Sequence, residues 1–339
     1  QGMILRDNNW GTIEQDFARR DFSINALAVR LDSTPFGQLI DFFGGQRDIK
    51  ERVIRVLHTL SFVEDPTRCL RAVRFEQRYD FRIGAGAERL IKNALGLKLM
   101  DKLAGPRLFS EFRHICDEDN PLACLVRLDQ LGILTAIAPQ LALIPTRRGL
   151  LQELQDMLSW YHLLYFEKKP QAWLVYFLGL SHGLPYAETS DLYRRLGLPE
   201  NKRGEILNQR EQMRTVRGRL ETWQRRQEGQ APKISALCEV LAPLSLESLL
   251  YLMAETENEH LQKSLSRYIT QWQHEKADIT GDDLKALDLP PGPLYSHILR
   301  TALKAKLDGE TQGREAQLGL ARKLMRQEQD LKASHPSKD

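Results

Sequence analysis

Glu64-Asp65-Pro66-Thr67-Arg68-Cys69-Leu70-Arg71-Ala72-Val73-Arg74-Phe75 is the stretch at which the chain changes character. Before it the pattern is short, strand-like and broken; from Asp65 onward apolar residues recur with the 3.6-residue helical period. Pro66 suits the first turn of a helix that Glu64 or Asp65 can cap, and the spacing predicts a helix over 67–79. With Asp65 set at zero on a helical wheel, Arg68, Arg71 and Arg74 fall near about 300°, 240° and 180°, while Cys69, Val73 and Leu70 fall near about 40°, 80° and 140°. One flank is therefore apolar and the other is a row of arginines. Arginines at successive i+3 steps repel one another. Such a row either faces solvent or wants an anionic partner.

Upstream, three short segments read as strands: Ser23 to Leu31, Gly37 to Phe43 and Arg52 to Leu57. Gly44-Gly45 marks a turn between the last two, and Gln46 to Glu51 allows one or two helical turns. Three short strands make a poor sheet, and the chain opens at Gln1 without an initiator methionine, so more of the sheet is expected before Gln1. Downstream, helices are predicted at 85–98, 106–117, 121–131, 150–164, 170–181, 188–196, 201–227, 232–241, 245–254, 257–276, 280–287, 293–307 and 311–332, and a frayed polar tail at 332–339. No repeat period links them, which predicts an irregular helical array and not a solenoid. The fold class is mostly α, with strands confined to the beginning.

A length of 339 residues allows two or three domains. Hydrophobic residues are 42% and charged residues 27%, with no apolar run near the ~18 residues a membrane-spanning helix needs, so no membrane partner is expected. The four cysteines are widely spaced, the nearest pair being Cys116 and Cys124, and fit neither a zinc site nor a disulfide framework. They read as buried free thiols in a reducing compartment. The eight histidines have no metal-ligand spacing, and none is followed by aspartate. A net charge of +3 makes no global case for nucleic acid, so local clusters must carry it.

Three clusters stand out. Arg19-Arg20-Asp21 enters a strand, where Arg20 can hold a polyphosphate with a neighbouring carboxylate fixing its guanidinium and Asn25 offering a neutral hydrogen bond; the plain alternative is a surface ion pair. Between Lys202 and Arg226 lie eight basic residues, and Arg210, Arg214 and Arg217 share one helical face, either a solvated face or a track for RNA phosphates. Leu289-Pro290-Pro291-Gly292-Pro293 opens a helix whose free N–H groups suit a phosphate, with Lys304 and Lys306 further along it.

Taken in order and spacing, RRDFSINALA, DFFGGQRDIKERVIR and EDPTRCLRAVRF resemble motifs B, C and D of the class II tRNA nucleotidyltransferase and bacterial poly(A) polymerase family. The resemblance runs over about residues 5 to 115, including Gly105-Pro106-Arg107-Leu108-Phe109 and Glu111, and ITGDDLKALDLPPGPLYSHILRTALKAKLDGE resembles the family's tail. It implies the end of a nucleotidyltransferase head at 1–60, a nucleotide-recognising neck at 61–147, a body at 148–275 and a tRNA-binding tail at 276–339. It also implies template-independent addition of A, or A and C, from ATP and CTP to a tRNA 3′ end, in the cytoplasm, with release of pyrophosphate. Arg20, with Asp21 and Asn25 beside it, would meet the triphosphate, Asp65 and Arg68 the base, and Arg71 and Arg74 the nucleotide or its phosphates. The chemistry agrees for the base: adenine and cytosine both present an amino donor beside a ring-nitrogen acceptor, which a carboxylate next to a guanidinium matches. Uracil and guanine present the reverse.

The family's motif A, a Gly-Gly loop followed by Asp-x-Asp on a strand, holds Mg²⁺ for phosphoryl transfer. It is missing from this sequence. The only similar run, Asp117-Glu118-Asp119, ends a helix and runs into Asn120-Pro121, whereas i and i+2 share a face only on a strand. The carboxylates and Mg²⁺ are therefore expected upstream of Gln1, with no metal ligand in the chain. Polyadenylation of other RNA ends, and a non-catalytic RNA-binding helical protein, are the competing readings; the oligomeric state is left open.

Overall fold

The computed structural model describes residues 16–17, 19–31, 35–226 and 232–334. The chain divides into two compact units, Gln1–Leu207 and Asn208–Asp339. That division falls inside the stretch read as body.

In the first unit, β1 (Leu27–Val29) pairs antiparallel with β2 (Leu39–Asp41). The chain then turns through Gly44, at a φ of 74° that glycine adopts without strain, into α1 (Gly45–Glu51). The Asp41 carboxylate accepts the free N–H groups of Gly45 and Gln46 at 2.8 and 3.0 Å, so a strand residue caps the helix that follows. β3 (Val53–Ile54) pairs parallel with β4 (Arg82–Ile83), and α2 (Ser61–Glu64) and α3 (Thr67–Arg78) lie between them. β4 corrects the expectation that strands are confined to the chain's beginning. Two residues are too few to show a period-2 pattern, so the sequence carried no sign of it. The first predicted strand is also shorter than expected: Ser23–Asn25 forms a 3₁₀ turn, its Ser23 hydroxyl donating to buried Asp48 at 2.5 Å.

The helices of this unit continue as α4 (Ala85–Gly96), α5 (Gly105–Cys116), α6 (Pro121–Gln130), α7 (Ile133–Ile137), α8 (Pro145–His162), α9 (Ala172–Leu180) and α10 (Tyr186–Arg195). α8 begins five residues before its predicted start. Pro145 opens it, and the buried Arg147 guanidinium donates to the carbonyls of Gln140, Ala142 and His182. α9 is buried almost all round, and its Phe177 meets Phe109, Phe112 and Trp173 edge-on at 5.9, 6.2 and 5.6 Å.

α11 (Glu200–Arg226) carries the chain into the second unit, which holds α12 (Ile234–Leu241), α13 (Leu246–Glu255), α14 (Glu259–Thr270), α15 (Gly281–Lys285), α16 (Pro293–Leu307) and α17 (Gly313–Ser334). The single helix predicted at 257–276 breaks at Gln271 and resumes as a 3₁₀ turn, Trp272–His274, where the Gln273 side chain takes the freed Ile269 carbonyl at 2.6 Å. Ile279, Leu284, Ile298, Ala302 and Ala321 form a small core for the last three helices. The tail expected to fray lies outside the described residues from 335 on; Lys332–Ser334 still belong to α17. Cys69, Cys116 and Cys124 are buried and free, as expected, whereas Cys238 is half-buried, its thiol pushed up by burial to about 11. Among the described residues, no single helix is long and apolar enough to cross a membrane.

Gly197 sits at a φ of 77°, and a Cβ there would lie 2.0 Å from the Gly105 carbonyl carbon, at the start of α5. Gly197→Ala is expected to lower unfolding free energy by ~3 kcal/mol or more, combining a left-handed alanine with a backbone clash. Gly149→Ala, in α8 with open space around it, is the control and should be neutral or mildly stabilising in the same urea titration.

Candidate nucleotide site

The site is built around the arginine face of α3. Its apolar flank, Cys69, Leu70, Ala72 and Val73, is fully buried, and Phe75 meets Phe22 edge-on at 5.8 Å, which fixes the helix's rotation. The arginines then point at carboxylates from elsewhere in the unit. Arg71 Nε donates to Asp21 Oδ2 at 2.8 Å, and the same guanidinium lies 3.6 Å from Glu111. The other Asp21 oxygen accepts from the Phe22 backbone N–H and from Asn25 Nδ2, both at 2.9 Å. Arg74 is only 6% exposed; it sits over the Phe75 ring and lies 3.4 Å from Glu118 and 3.7 Å from Glu111. Arg78 closes the row on Glu118 at 2.8 Å.

Arg68 differs from the others. Its guanidinium donates to the Ser61 hydroxyl at 2.8 Å and to the Arg19 carbonyl at 3.0 Å, and no carboxylate among the described residues neutralises it. Asp65 does not stand on the helix with it. Asp65 is extended at φ −141°, one residue before Pro66 and α3, and acts as the cap the sequence suggested, accepting the Thr67 N–H at 3.1 Å and its hydroxyl at 2.6 Å. Arg107 Nη2, from the first turn of α5, donates to the other Asp65 oxygen at 2.7 Å. Burial opposes ionisation of Asp65, but the bonds from Thr67 and the Arg107 guanidinium prevail and hold its carboxyl below the usual carboxylate range.

The structure thus brings Asp21, Asn25, Arg71 and Arg74 into one network, and sets Asp65 and Arg68 at the start of the same helix with different partners. Arg20 is apart: the carboxylate that holds it is exposed Asp16 at 2.8 Å, while Asp21 is engaged by Arg71. Sequence reasoning gave no role to Arg107 or Ser61 and weighed Glu118 only as a metal ligand. In the second unit, Arg210 is half-buried, Arg214 is exposed, and Arg217 pairs with Glu255. Lys304 pairs with Glu239 at 2.6 Å, and Lys306 with Asp278 at 2.7 Å and Glu275 at 3.0 Å. Both lysines occupy the last turn of α16, so they stand at the opposite end from the Gly292-Pro293 start where a phosphate was expected.

Mg²⁺ does not fit the described residues. No three His, Cys, Asp or Glu side chains among them stand together as metal ligands, and Glu118 is committed to two arginines.

Residues 5–55 match the family model described as the poly A polymerase head domain. The chain is 42% identical to an A-adding tRNA nucleotidyltransferase of Geobacter sulfurreducens over 92% of its own length and 35% of the relative's. It is 29% identical to the A-adding enzyme of Halalkalibacterium halodurans, over 94% of this chain and 70% of that one. The solved structure of the Thermotoga maritima CCA-adding enzyme complexed with tRNA-CCA superposes with a TM-score of 0.72 at 32% identity, covering 93% of this chain and 74% of that chain. A CCA-adding enzyme solved with ATP gives 0.72 at 31% identity, over 97% and 74%. The chain belongs to the class II tRNA nucleotidyltransferase family, and it spans about a third of the first two curated relatives it matches.

The depressed Asp65 carboxyl yields a pH prediction. Its contribution to stability is complete above the unfolded aspartate value of about 4 and is lost as pH falls through the lower folded value. Asp65→Asn should therefore cost on the order of 1 kcal/mol at pH 7 in urea unfolding, and the difference from wild type should shrink as the titration is repeated below pH 4.

Proposed function

We propose that this chain selects the nucleotide and holds the RNA in a template-independent nucleotidyltransferase that adds A, or A and C, from ATP or CTP to the 3′ end of tRNA, releasing pyrophosphate. One observation carries the reading: Asp65 and Arg68 both belong to the start of α3, where the Arg68 backbone N–H donates to the Asp65 carbonyl at 3.1 Å, and one is an anchored acceptor while the other is a cation that no described carboxylate pairs with. A carboxylate and a guanidinium side by side accept the Watson–Crick edge of A or C and refuse that of U or G. The names of the relatives support the reaction class, with A-adding enzymes matching over most of the chain.

Within this reading Arg20 meets the triphosphate, while Asp21 and Asn25 act through the network that fixes Arg71 and Arg74 against the nucleotide. Within the same reading, residues 1–60 end the catalytic head, 61–147 form the neck, 148–275 the body and 276–339 the tail. Arg210, Arg214 and Arg217 offer RNA phosphates a basic helical face, and Lys304 and Lys306 a second contact. Catalysis uses Mg²⁺ held by carboxylates from a Gly-Gly and Asp-x-Asp segment outside this sequence, and the protein works in the cytoplasm.

The chain incubated alone with Mg²⁺, labelled ATP and a tRNA ending in CC should bind the tRNA and incorporate nothing. Incorporation would show that the metal site lies among these residues, and absence of tRNA binding would remove the RNA-holding role. In the full-length enzyme, Asp65→Ala should cost ~1 to 3 kcal/mol of discrimination between ATP or CTP and UTP or GTP, read as kcat/KM for all four nucleotides. Arg20→Ala should instead depress the four together, because a triphosphate is common to them. A proportional loss for Asp65→Ala, with altered ratios for Arg20→Ala, reverses the assignment.

A further inference from the structure

An open groove of about 980 Å³ lies in the first unit between the segment that follows β3 and the start of α4. Arg55, His58, Arg82, Gly86, Arg89 and Asn93 are among the residues that line it. Its charges are unevenly matched. Arg55 is held by Asp48 and Glu51, His58 stands 3.4 Å from Glu64, and the acidic lining residue Glu88 pairs with Arg127. The side chains of Arg82 and Arg89 are exposed and have neither a hydrogen bond nor an ion pair among the described residues, so the groove keeps two uncompensated guanidinium groups.

The rest of the lining suits an anion that passes through. Gly86, Arg89 and Asn93 are spaced at i−3, i and i+4 and share one face of α4. Gly84 caps this twelve-residue helix without a side chain, and the position a Gly86 Cβ would take is open space. No Phe, Tyr or Trp lines the groove, so nothing offers a base the aromatic platform by which single strands are usually stacked. Guanidinium groups and a neutral amide over an apolar floor of Val53, Val56 and Leu90 fit a sugar–phosphate chain.

We propose that this groove binds the phosphate backbone of the RNA substrate, through Arg82 and Arg89, apart from the residues that read the nucleotide. The inference rests on the RNA reading above. The test is binding of a tRNA lacking its terminal A to the chain, followed by fluorescence anisotropy in a series of NaCl concentrations, for wild type, the double variant Arg82→Gln with Arg89→Gln, and Arg194→Gln. Arg194 is an exposed arginine of the same unit outside the groove, paired with Asp191. The double variant should reduce the slope of log K against log salt by roughly 1.4 to 1.8, two phosphate contacts' worth, and weaken binding about tenfold or more at 0.1 M NaCl. Arg194→Gln should leave the slope unchanged. An unaltered slope in the double variant, or an equal loss in Arg194→Gln, overturns the groove assignment while leaving RNA binding intact. No binding by wild type overturns the RNA reading itself.

Discussion

A buried carboxylate facing a guanidinium fifty residues along the chain holds this site together. Asp21 lies just ahead of the 3₁₀ turn that leads into β1, and its two oxygens take four donors: the Phe22 N–H, Asn25, and two nitrogens of Arg71. A carboxylate that is only 7% exposed costs several kcal/mol to desolvate, and only a partner with this many donors offsets that. The pair therefore fixes the strand entry against α3, and everything that depends on where that helix's arginines point inherits its geometry. Phe22 packing edge-on to Phe75 reinforces the same join with apolar contact.

The arginine row illustrates how charge is sorted within one helix. Arg71, Arg74 and Arg78 are neutralised inside the protein by Asp21, Glu111 and Glu118, two of them sharing Glu118. Arg74 Nε and Glu111 Oε2 are buried without a hydrogen-bond partner, so this pairing contributes position more than stability. Arg68, bound only to neutral oxygens, keeps its charge at the helix start, where the free N–H groups add partial positive charge of their own. Asp65, three residues earlier, has each oxygen already oriented by Thr67 or Arg107. Under the proposed function, such a prearranged acceptor and uncompensated cation lose little entropy on meeting a base edge.

What the sequence revealed follows from what is local. α16 occupies the predicted range 293–307, because a proline after Gly292 and Gly309 beyond the end are punctuation that survives any tertiary context. The apolar flank of α3 was legible for the same reason. The partners of its arginines were not: Arg71 needed an anion, as the i+3 spacing indicated, but Glu111 and Glu118 are supplied by α5 and the loop after it, which no local period encodes. Arg107 escaped because its role lies in a contact across 42 residues. Asp65 was placed on the helix by the wheel, whereas Pro66 forces the residue before it into extended backbone, a restriction readable from the sequence.

The central claim is that Asp21 and Arg71 act as one unit fastening the segment before β1 to α3, the helix that carries the candidate site. A double-mutant cycle measures it most directly: urea unfolding of wild type, Asp21→Asn, Arg71→Gln and the double variant, monitored by circular dichroism. The account predicts strong coupling, about 1 to 3 kcal/mol, with the double variant less destabilised than the sum of the single changes. Additivity to within about 0.5 kcal/mol would contradict it, because two residues that destabilise independently are not holding each other.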